Sequence, residues 1–302
     1  MTRRSRRIAL LAERGFVAAE ALRFPYARLM TSSLVRDALA EDCADNDITS
    51  LATIVSDRRA RCTVVAREAG VIAGIPLARE AFKQRSAGAA VRNAVKDGQR
   101  AEAGSGVMFI TGHPRGLLSA ERVALNYLQR LSGIATLTAQ FAAAVKGTGA
   151  RILDTRKTTP GWRKLEKYAV RAGGGMNHRM DLGAAVLIKD NHLAAVDGDI
   201  AVAVKRARET APPGTPVEIE CDRIDQARAA VEAGADIIML DNMSAWELRE
   251  SVELIDGRAV TEASGGVSLN MVRRIAETGV DWISVGALTH SARALDLALD
   301  FE

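Results

Sequence analysis

From Arg151 onward the chain alternates short apolar runs with amphipathic stretches of helical period, and that rhythm leaves few folds open. The runs are Ile152-Leu153, Ala185 to Ile188, Val217 to Ile219, Ile237 to Leu240, Ala259 to Thr261 and Trp282 to Val285. Six strands, each followed by a helix, imply a parallel α/β sheet, open or closed into a barrel. Each run leads into polar or glycine residues. Asp154, Arg156 and Lys157 follow the first, Lys189 and Asp190 the second, and Glu220 and Asp222 the third. Asp241 and Asn242 follow the fourth, Ser264-Gly265-Gly266 the fifth and Gly286 the sixth. Ligands of parallel α/β folds sit at the carboxyl ends of the strands, so these groups converge on one mouth. An open sheet gathers only a few loops at its switch point; six such loops favour a barrel.

Before about residue 145 the pattern is mixed. Strand-like runs occur at Ala60 to Ala66, Gly70 to Ala73 and Val107 to Thr111, with a helical stretch over Leu77 to Arg85. Strands pairing locally under helices predict an α+β open-faced sandwich. A long helical pattern is expected from Ser119, whose hydroxyl can cap it, with apolar residues at Val123, Leu125, Leu128, Leu131 and Ile134 and a break near Gly133. The expected organisation is a basic extension over 1–28, the sandwich over 29–145, and an irregular six-stranded parallel α/β barrel over 146–289. A C-terminal helix over 290–302 is expected to join the sandwich.

The formal net charge is +4, and Arg3, Arg4, Arg6 and Arg7 alone account for it, so the body of the protein is neutral. Aromatic residues make up only 4%, which disfavours a stacking platform for single strands, and no specific nucleic-acid partner is expected. Glu13 and Arg14 interrupt the short apolar run Ile8 to Leu11, so neither an export signal nor a membrane span is read. Cys43, Cys62 and Cys221 are widely spaced and form no C-x-x-C pair, which fits a reducing cytoplasm and passive thiols.

Charge is partitioned within the second half. Arg151 to His192 carries nine Lys and Arg against four Asp and Glu, whereas Val217 to Glu302 carries seven against seventeen. Most of those acids belong on solvated helix faces, leaving a few at strand ends. A cationic wall facing a few carboxylates suits an anionic substrate bound with a divalent metal. The wall is densest in Asp154-Thr155-Arg156-Lys157-Thr158-Thr159-Pro160-Gly161 and in Gly173-Gly174-Gly175-Met176-Asn177-His178-Arg179. Arginine grips carboxylate or phosphate through a planar fork, lysine supplies a compact charge, and glycines let backbone approach oxyanions. His178, beside Arg179, reads as a donor to a bound anion. Backbone N–H groups at Ser264-Gly265-Gly266 and Gly286, where helices are expected to begin, suit a phosphate. Lys189 has three readings: an anion partner, a Schiff-base amine, or an ion pair with Asp190. Gly147-Thr148-Gly149 precedes a strand, so no dinucleotide fingerprint is present.

The runs Glu121-Arg122-Val123-Ala124-Leu125-Asn126, Leu128 to Thr136, DTRKT-x-PG, GGGMNHR, Leu187-Ile188-Lys189-Asp190-Asn191-His192, Leu240-Asp241-Asn242 and Glu262-Ala263-Ser264-Gly265-Gly266 closely resemble the quinolinate phosphoribosyltransferases. The resemblance covers roughly Leu29 to Ser291 in the right order. It implies transfer of phosphoribosyl from phosphoribosyl pyrophosphate to quinolinate with decarboxylation, a step of NAD synthesis. By resemblance Arg122, Arg156, Lys157, Thr158, His178, Arg179 and Lys189 bind the two anionic substrates, with Lys157 at the pyrophosphate. Glu220 and Asp241 are implied at the ribose hydroxyls and the magnesium that accompanies the donor, and with Lys157 they form the catalytic set. Ser264, Gly265, Gly266, Val285, Gly286 and Ala287 are implied at the 5-phosphate. The family also implies a homodimer or larger assembly in which Arg122 enters the partner's site.

One departure stands out. Many relatives have a Gly-Leu pair soon after His-Arg; here Met180-Asp181-Leu182-Gly183 stands instead, and Asp181 is expected to face solvent. Alternation places Glu218 and Glu220 on one strand face, and the site role is given to Glu220, nearest the strand end.

Overall fold

The computed structural model describes residues 21–55 and 59–302, and the arginine-rich start lies outside them. It divides into two compact units.

The first unit comprises Leu22–Ala139, Lys164–Gly174 and Ala292–Glu302. Its early elements are α1 (Arg28–Glu41), α2 (Ile48–Thr53), β1 (Ala60–Ala66), β2 (Gly70–Val71), α3 (Ile75–Arg85), β3 (Ala90–Asn93), β4 (Arg100–Ala101) and β5 (Gly106–Gly112). Helix α4 (Pro114–Ala144) follows, and its last residues belong to the other unit. The chain contributes β6 (Arg151–Leu153) to that second unit and returns with α5 (Arg163–Ala172).

Helix α4 starts five residues before Ser119 and runs through Gly133 without a break. Proline at the first position explains the start, because its missing N–H would be unbonded there anyway. Ser119 lies inside the helix and its Oγ donates to the Gly116 carbonyl. Gly133 is a contact point instead of a break: a Cβ there would stand 2.0 Å from the carbonyl oxygen of Arg293. Helix α5 is tied into this unit by Glu166, fully buried and 2.7 Å from the Arg130 guanidinium, and by Tyr168, whose hydroxyl donates to Asp97 at 2.6 Å.

The C-terminal residues expected as helix form a strand, β12 (Leu297–Phe301). It pairs antiparallel with β1 from Cys62↔Phe301 to Ala66↔Leu297, giving the sheet order β12-β1-β5-β3. The unfilled hydrogen-bonding edge of β1 outweighs the weak helical preference of this short segment.

The second unit holds β6 and then β7 (Val186–Ile188), α6 (Asp190–Ala194), α7 (Ile200–Thr210), β8 (Val217–Cys221), α8 (Ile224–Glu232) and β9 (Ile237–Asp241). It continues through α9 (Ala245–Ile255), β10 (Val260–Ser264), α10 (Val272–Ala276), β11 (Trp282–Ser284) and α11 (Ala287–His290). Its six strands are parallel, in the order β6-β11-β10-β9-β8-β7. That is a barrel sequence opened between β6 and β7. Met176 forms an isolated bridge to Leu153 at the free edge of β6.

Side-chain alternation sends Glu218 and Glu220, Ile237, Met239 and Asp241, Val260, Glu262 and Ser264, and Trp282 and Ser284 to one face. Leu153, Ala185, Ile237, Val260 and Trp282 pack together there as a buried cluster, capped by Met176. Two acids brace the ladder. Asp281 accepts from both the backbone N–H and the hydroxyl of Thr261, and Asp236 accepts from the backbone of Val217 while pairing with Arg208. Ser244 and Glu247 form a reciprocal cap that starts α9.

Candidate active site

The residues after the barrel strands form two walls. The cationic wall begins after β6. Asp154, fully buried, accepts from the side chain of Asn177 and from the backbone N–H of His178, which ties the β6 exit to the glycine-rich segment. Arg179, 6% exposed, donates from Nη1 to the carbonyl of Ala185, the residue before β7, at 2.9 Å. Burial and the neighbouring Arg156 guanidinium hold Arg179 below its ordinary pKa, against the pull of Glu218 and Asp181. Two guanidiniums close enough to repel each other define a place for an anion. Arg156 Nε is buried and has no hydrogen-bond partner among the described residues. Arg163 braces this wall, donating to the Thr158 hydroxyl and to the Met180 carbonyl.

Lys157 is exposed, and its backbone is held by the Thr289 hydroxyl donating to its carbonyl at 2.7 Å. A Cβ on Gly286 would lie 3.1 Å from both the Lys157 side chain and His290 Nε2. Lys157, Val285-Gly286-Ala287 and His290 are thus neighbours, although His290 was not among the expected site residues. Gly286 caps the short helix α11 as expected. Ser264-Gly265-Gly266 differs from expectation, because α10 begins only at Val272. Gly265 and Gly266 instead adopt positive φ, 93° and 55°, so the segment is a turn and not a helix terminus. A Cβ at Gly265 would fall 2.1 Å from Asn242 Oδ1.

The carboxylate wall comprises Glu220 and Asp241, at the ends of the adjacent strands β8 and β9. Lys189 Nζ lies 2.7 Å from Glu220 Oε2. This pairing replaces the one with Asp190 that sequence proximity suggested. It also engages the ammonium in an ion pair, whereas a Schiff-base lysine needs a desolvated pocket or a neighbouring cation. Asn242 Nδ2 donates to Asp241 Oδ2 at 2.7 Å. Both carboxylates remain partly exposed at the mouth, and hard oxygen donors there fit a magnesium–pyrophosphate group.

His178 differs from its expected role. Its Nδ1 accepts the backbone N–H of Arg179 at 2.8 Å, and its Nε2 faces Glu218 at 3.2 Å and Glu262 at 3.5 Å. The protein engages both ring nitrogens. Glu218 and Glu262 are fully buried, and burial, reinforced by Glu218 and Asp154, pushes the Glu262 carboxyl up to about 7, against the pull of His178 and the Ser284 hydroxyl. The presence of Glu262 inside an otherwise uncharged strand was the available sequence signal for this cluster.

Arg122 lies on α4 in the other unit and is exposed. Asp181 is exposed as expected, accepting from the Gly183 N–H in a local turn. Cys221 is buried, and burial with Asp222 and Glu220 raises its thiol to about 12, which suits a passive role. No described helix is long and apolar enough to cross a membrane.

Family models for the N-terminal and C-terminal domains of quinolinate phosphoribosyl transferase match residues 47–132 and 134–300. The chain is 45% identical over 272 residues to a nicotinate-nucleotide pyrophosphorylase (carboxylating) of Mycobacterium leprae, covering 88% of this chain and 95% of the relative. It is 41% identical over 284 residues to a decarboxylating quinolinate phosphoribosyltransferase of Nicotiana glauca, covering 88% and 80%. The solved nicotinate-nucleotide pyrophosphorylase of Francisella tularensis superposes with a TM-score of 0.86 at 38% identity, covering 92% of this chain and 98% of that one. With both domain models matched in order, and with the strand-end residues of the motifs gathered in one parallel unit, the chain belongs to the quinolinate phosphoribosyl transferase family.

Proposed function

We propose that this protein joins quinolinate to phosphoribosyl pyrophosphate with loss of one carboxylate, giving nicotinate mononucleotide, pyrophosphate and CO2 for NAD synthesis. The observation that carries the site assignment is the pair Arg156 and Arg179: two cations held together in a mostly buried wall, with Arg156 Nε lacking a protein acceptor. A substrate with two carboxylates answers that arrangement, since each guanidinium fork can take a carboxylate in two bonds.

The remaining residues divide between the two substrates. Lys189 and the backbone at His178 extend the quinolinate wall, and Thr158 orders it through Arg163. Lys157, beside Gly286, neutralises the departing pyrophosphate. Ser264, Gly265 and Gly266, together with Val285, Gly286 and Ala287, present backbone N–H groups to the 5-phosphate. Glu220 and Asp241 face the ribose hydroxyls and would hold the magnesium that arrives with the donor, which when bound would neutralise charge on the pyrophosphate.

Chemically, the C1–oxygen bond to pyrophosphate breaks as the ring nitrogen of quinolinate forms its bond to C1. The electron pair leaves with pyrophosphate, and positive charge develops on the ribosyl centre. Glu220 and Asp241 face that charge, while Lys157 faces the leaving group. Because the lone pair of the ring nitrogen is available, no base is required. The adjacent carboxylate then departs as CO2 and leaves its electron pair on the ring carbon, where the neighbouring pyridinium nitrogen stabilises it until that carbon takes a proton from water. Each aligned charged donor contributes on the order of 3 kcal/mol in the transition state.

We further propose a homodimer as the minimum active unit, with Arg122 completing the partner's site, in a reducing compartment. Replacing Arg156 with Ala tests the wall: quinolinate-dependent kcat/KM should fall about 100-fold. Wild-type kinetics would refute the assignment. Mixing Arg156→Ala with Arg122→Ala subunits should restore part of the activity, because each hybrid dimer keeps one intact site. No recovery after demonstrated subunit exchange would refute sharing.

A further inference from the structure

Three side chains in the second unit meet where no substrate role has been assigned to two of them. Glu218 comes from β8, Glu262 from β10, and His178 from the segment after α5. Atoms of all three able to bind a proton or a metal lie within 4.8 Å of one another, and all three residues are buried. The environment also contains Asp154, which accepts the His178 backbone N–H, Arg179, and Ser284 from β11.

Hydrogen-bond direction determines what this cluster can do. A backbone N–H always donates, so the 2.8 Å contact from Arg179 N makes His178 Nδ1 an acceptor. The ring proton is therefore on Nε2, and it points between Glu218 and Glu262 at 3.2 and 3.5 Å. A nitrogen that carries a proton offers no lone pair to a metal, so this tautomer disfavours a cation at the cluster. It also means that the imidazole is held on both sides: by two acids at one nitrogen and by the backbone of Arg179 at the other.

We propose that Glu218 and Glu262 are positioning residues for the quinolinate wall: they clamp the His178 ring, and the clamped ring fixes the backbone of Arg179 beside Arg156. This rests on the assignment of Arg156 and Arg179 to quinolinate. The logic is that of a buried hydrogen-bonded support that removes rotational freedom from a binding residue before substrate arrives. Buried acids in a barrel interior are costly unless they are partnered. Here Glu218 Oε1 lies within hydrogen-bond reach of His178 Nε2 at 3.4 Å, and Glu262 Oε1 lies within ion-pair distance of the same nitrogen at 3.5 Å. The arrangement assigns Glu218 and Glu220, two residues apart on β8, to different tasks: Glu220 at the mouth with Lys189, Glu218 inside with His178.

The test uses the full chain. Glu262→Ala should raise the KM for quinolinate at least tenfold, leave the KM for phosphoribosyl pyrophosphate within twofold, and change kcat less than threefold. Glu262→Gln, which restores a carbonyl acceptor, should recover most of that loss, and Glu218→Ala should show the same selectivity for quinolinate, relieved in turn by Glu218→Gln. Equal losses for both substrates, or no change in quinolinate KM in a folded protein, would overturn the proposal. Arg156→Ala is measured alongside. If it too leaves quinolinate KM unchanged, the wall assignment has failed; if it raises KM while the glutamate variants do not, only the clamp has failed.

Two measurements on the unaltered protein do not depend on variants folding. The chain has four histidines, so nitrogen-15 imidazole shifts can be assigned; His178 should show a protonated Nε2 and a bare Nδ1. The opposite tautomer would overturn the clamp. Titration with Mn2+ or Zn2+ alone should reveal no stoichiometric binding sensitive to Glu262→Ala. Binding that this substitution abolishes would make the cluster a metal site and refute the proposal.

Discussion

Glu262→Gln should change how stability depends on pH, and the direction follows from burial. The carboxyl is fully buried and its ordinary value of 4.5 is pushed up to about 7, chiefly by loss of solvent. Below 4.5 the acid is protonated in both the folded and unfolded chain, so it carries no penalty. Between 4.5 and about 7 the unfolded chain releases the proton while the folded chain retains it, and stability falls as pH rises. Above about 7 the loss is complete and the curve flattens. Glutamine has no such transition. Each tenfold change in proton affinity is worth about 1.4 kcal/mol, so the wild-type chain should lose about 2 to 3 kcal/mol relative to Glu262→Gln between pH 5 and pH 8. Urea unfolding of both proteins at the two pH values, followed by tryptophan fluorescence, reads this directly. Trp282, fully buried on β11, reports on the same unit. Curves that move in parallel, with the gap between the proteins constant within about 0.5 kcal/mol, would refute the claim that this carboxyl holds its proton through burial.

Other expectations follow from single contacts. Gly133→Ala favours the helix by about 1 kcal/mol in propensity, but its Cβ would lie 2.0 Å from the Arg293 carbonyl, so it should lower Tm by several degrees. An unchanged or raised Tm would show that the contact is loose. Gly265→Ala faces both a positive φ of 93° and a 2.1 Å approach to Asn242 Oδ1, and Asn242 holds Asp241. It should reduce kcat at least tenfold with the fold retained by circular dichroism; normal turnover would disconnect this turn from the site. Lys189→Ala should leave no borohydride-sensitive chemistry to lose, since the wild-type protein should itself form no reducible adduct with carbonyl compounds.

The barrel strands were readable because parallel strands between helices are short, apolar and terminated by polar or glycine residues, as at Ile237 to Leu240 and the Asp241-Asn242 that follow. Strand-end position likewise groups Arg156, Lys157, Glu220 and Asp241 with other polar residues such as Asp190 and Asp222, and it is the family resemblance that singles out the first four for site roles. The C-terminal strand was less legible: Leu297–Phe301 gains its structure from the edge of β1, more than 230 residues earlier, and no local pattern encodes that pairing. Helix α4 was placed late because Ser119 is a good cap in isolation, whereas Pro114 starts the helix and Gly133 serves a packing contact. The partner of Lys189 was hidden for a similar reason, since Glu220 is 31 residues away while Asp190 is adjacent. Alternation puts Glu218 on the same strand face as Glu220, and Glu262 stands in an otherwise uncharged strand, but nothing local encodes their meeting with His178, which comes from a segment 40 residues before Glu218.

The central claim is the reaction itself. Purified protein is incubated with quinolinate, phosphoribosyl pyrophosphate and magnesium, the product is followed by mass, and nicotinate replaces quinolinate in a parallel sample. Quinolinate should give nicotinate mononucleotide and one equivalent of CO2, and nicotinate no product, because the Arg156 and Arg179 pair requires the second carboxylate. Product from nicotinate at a comparable rate, or none from quinolinate with a folded dimer, would contradict the claim.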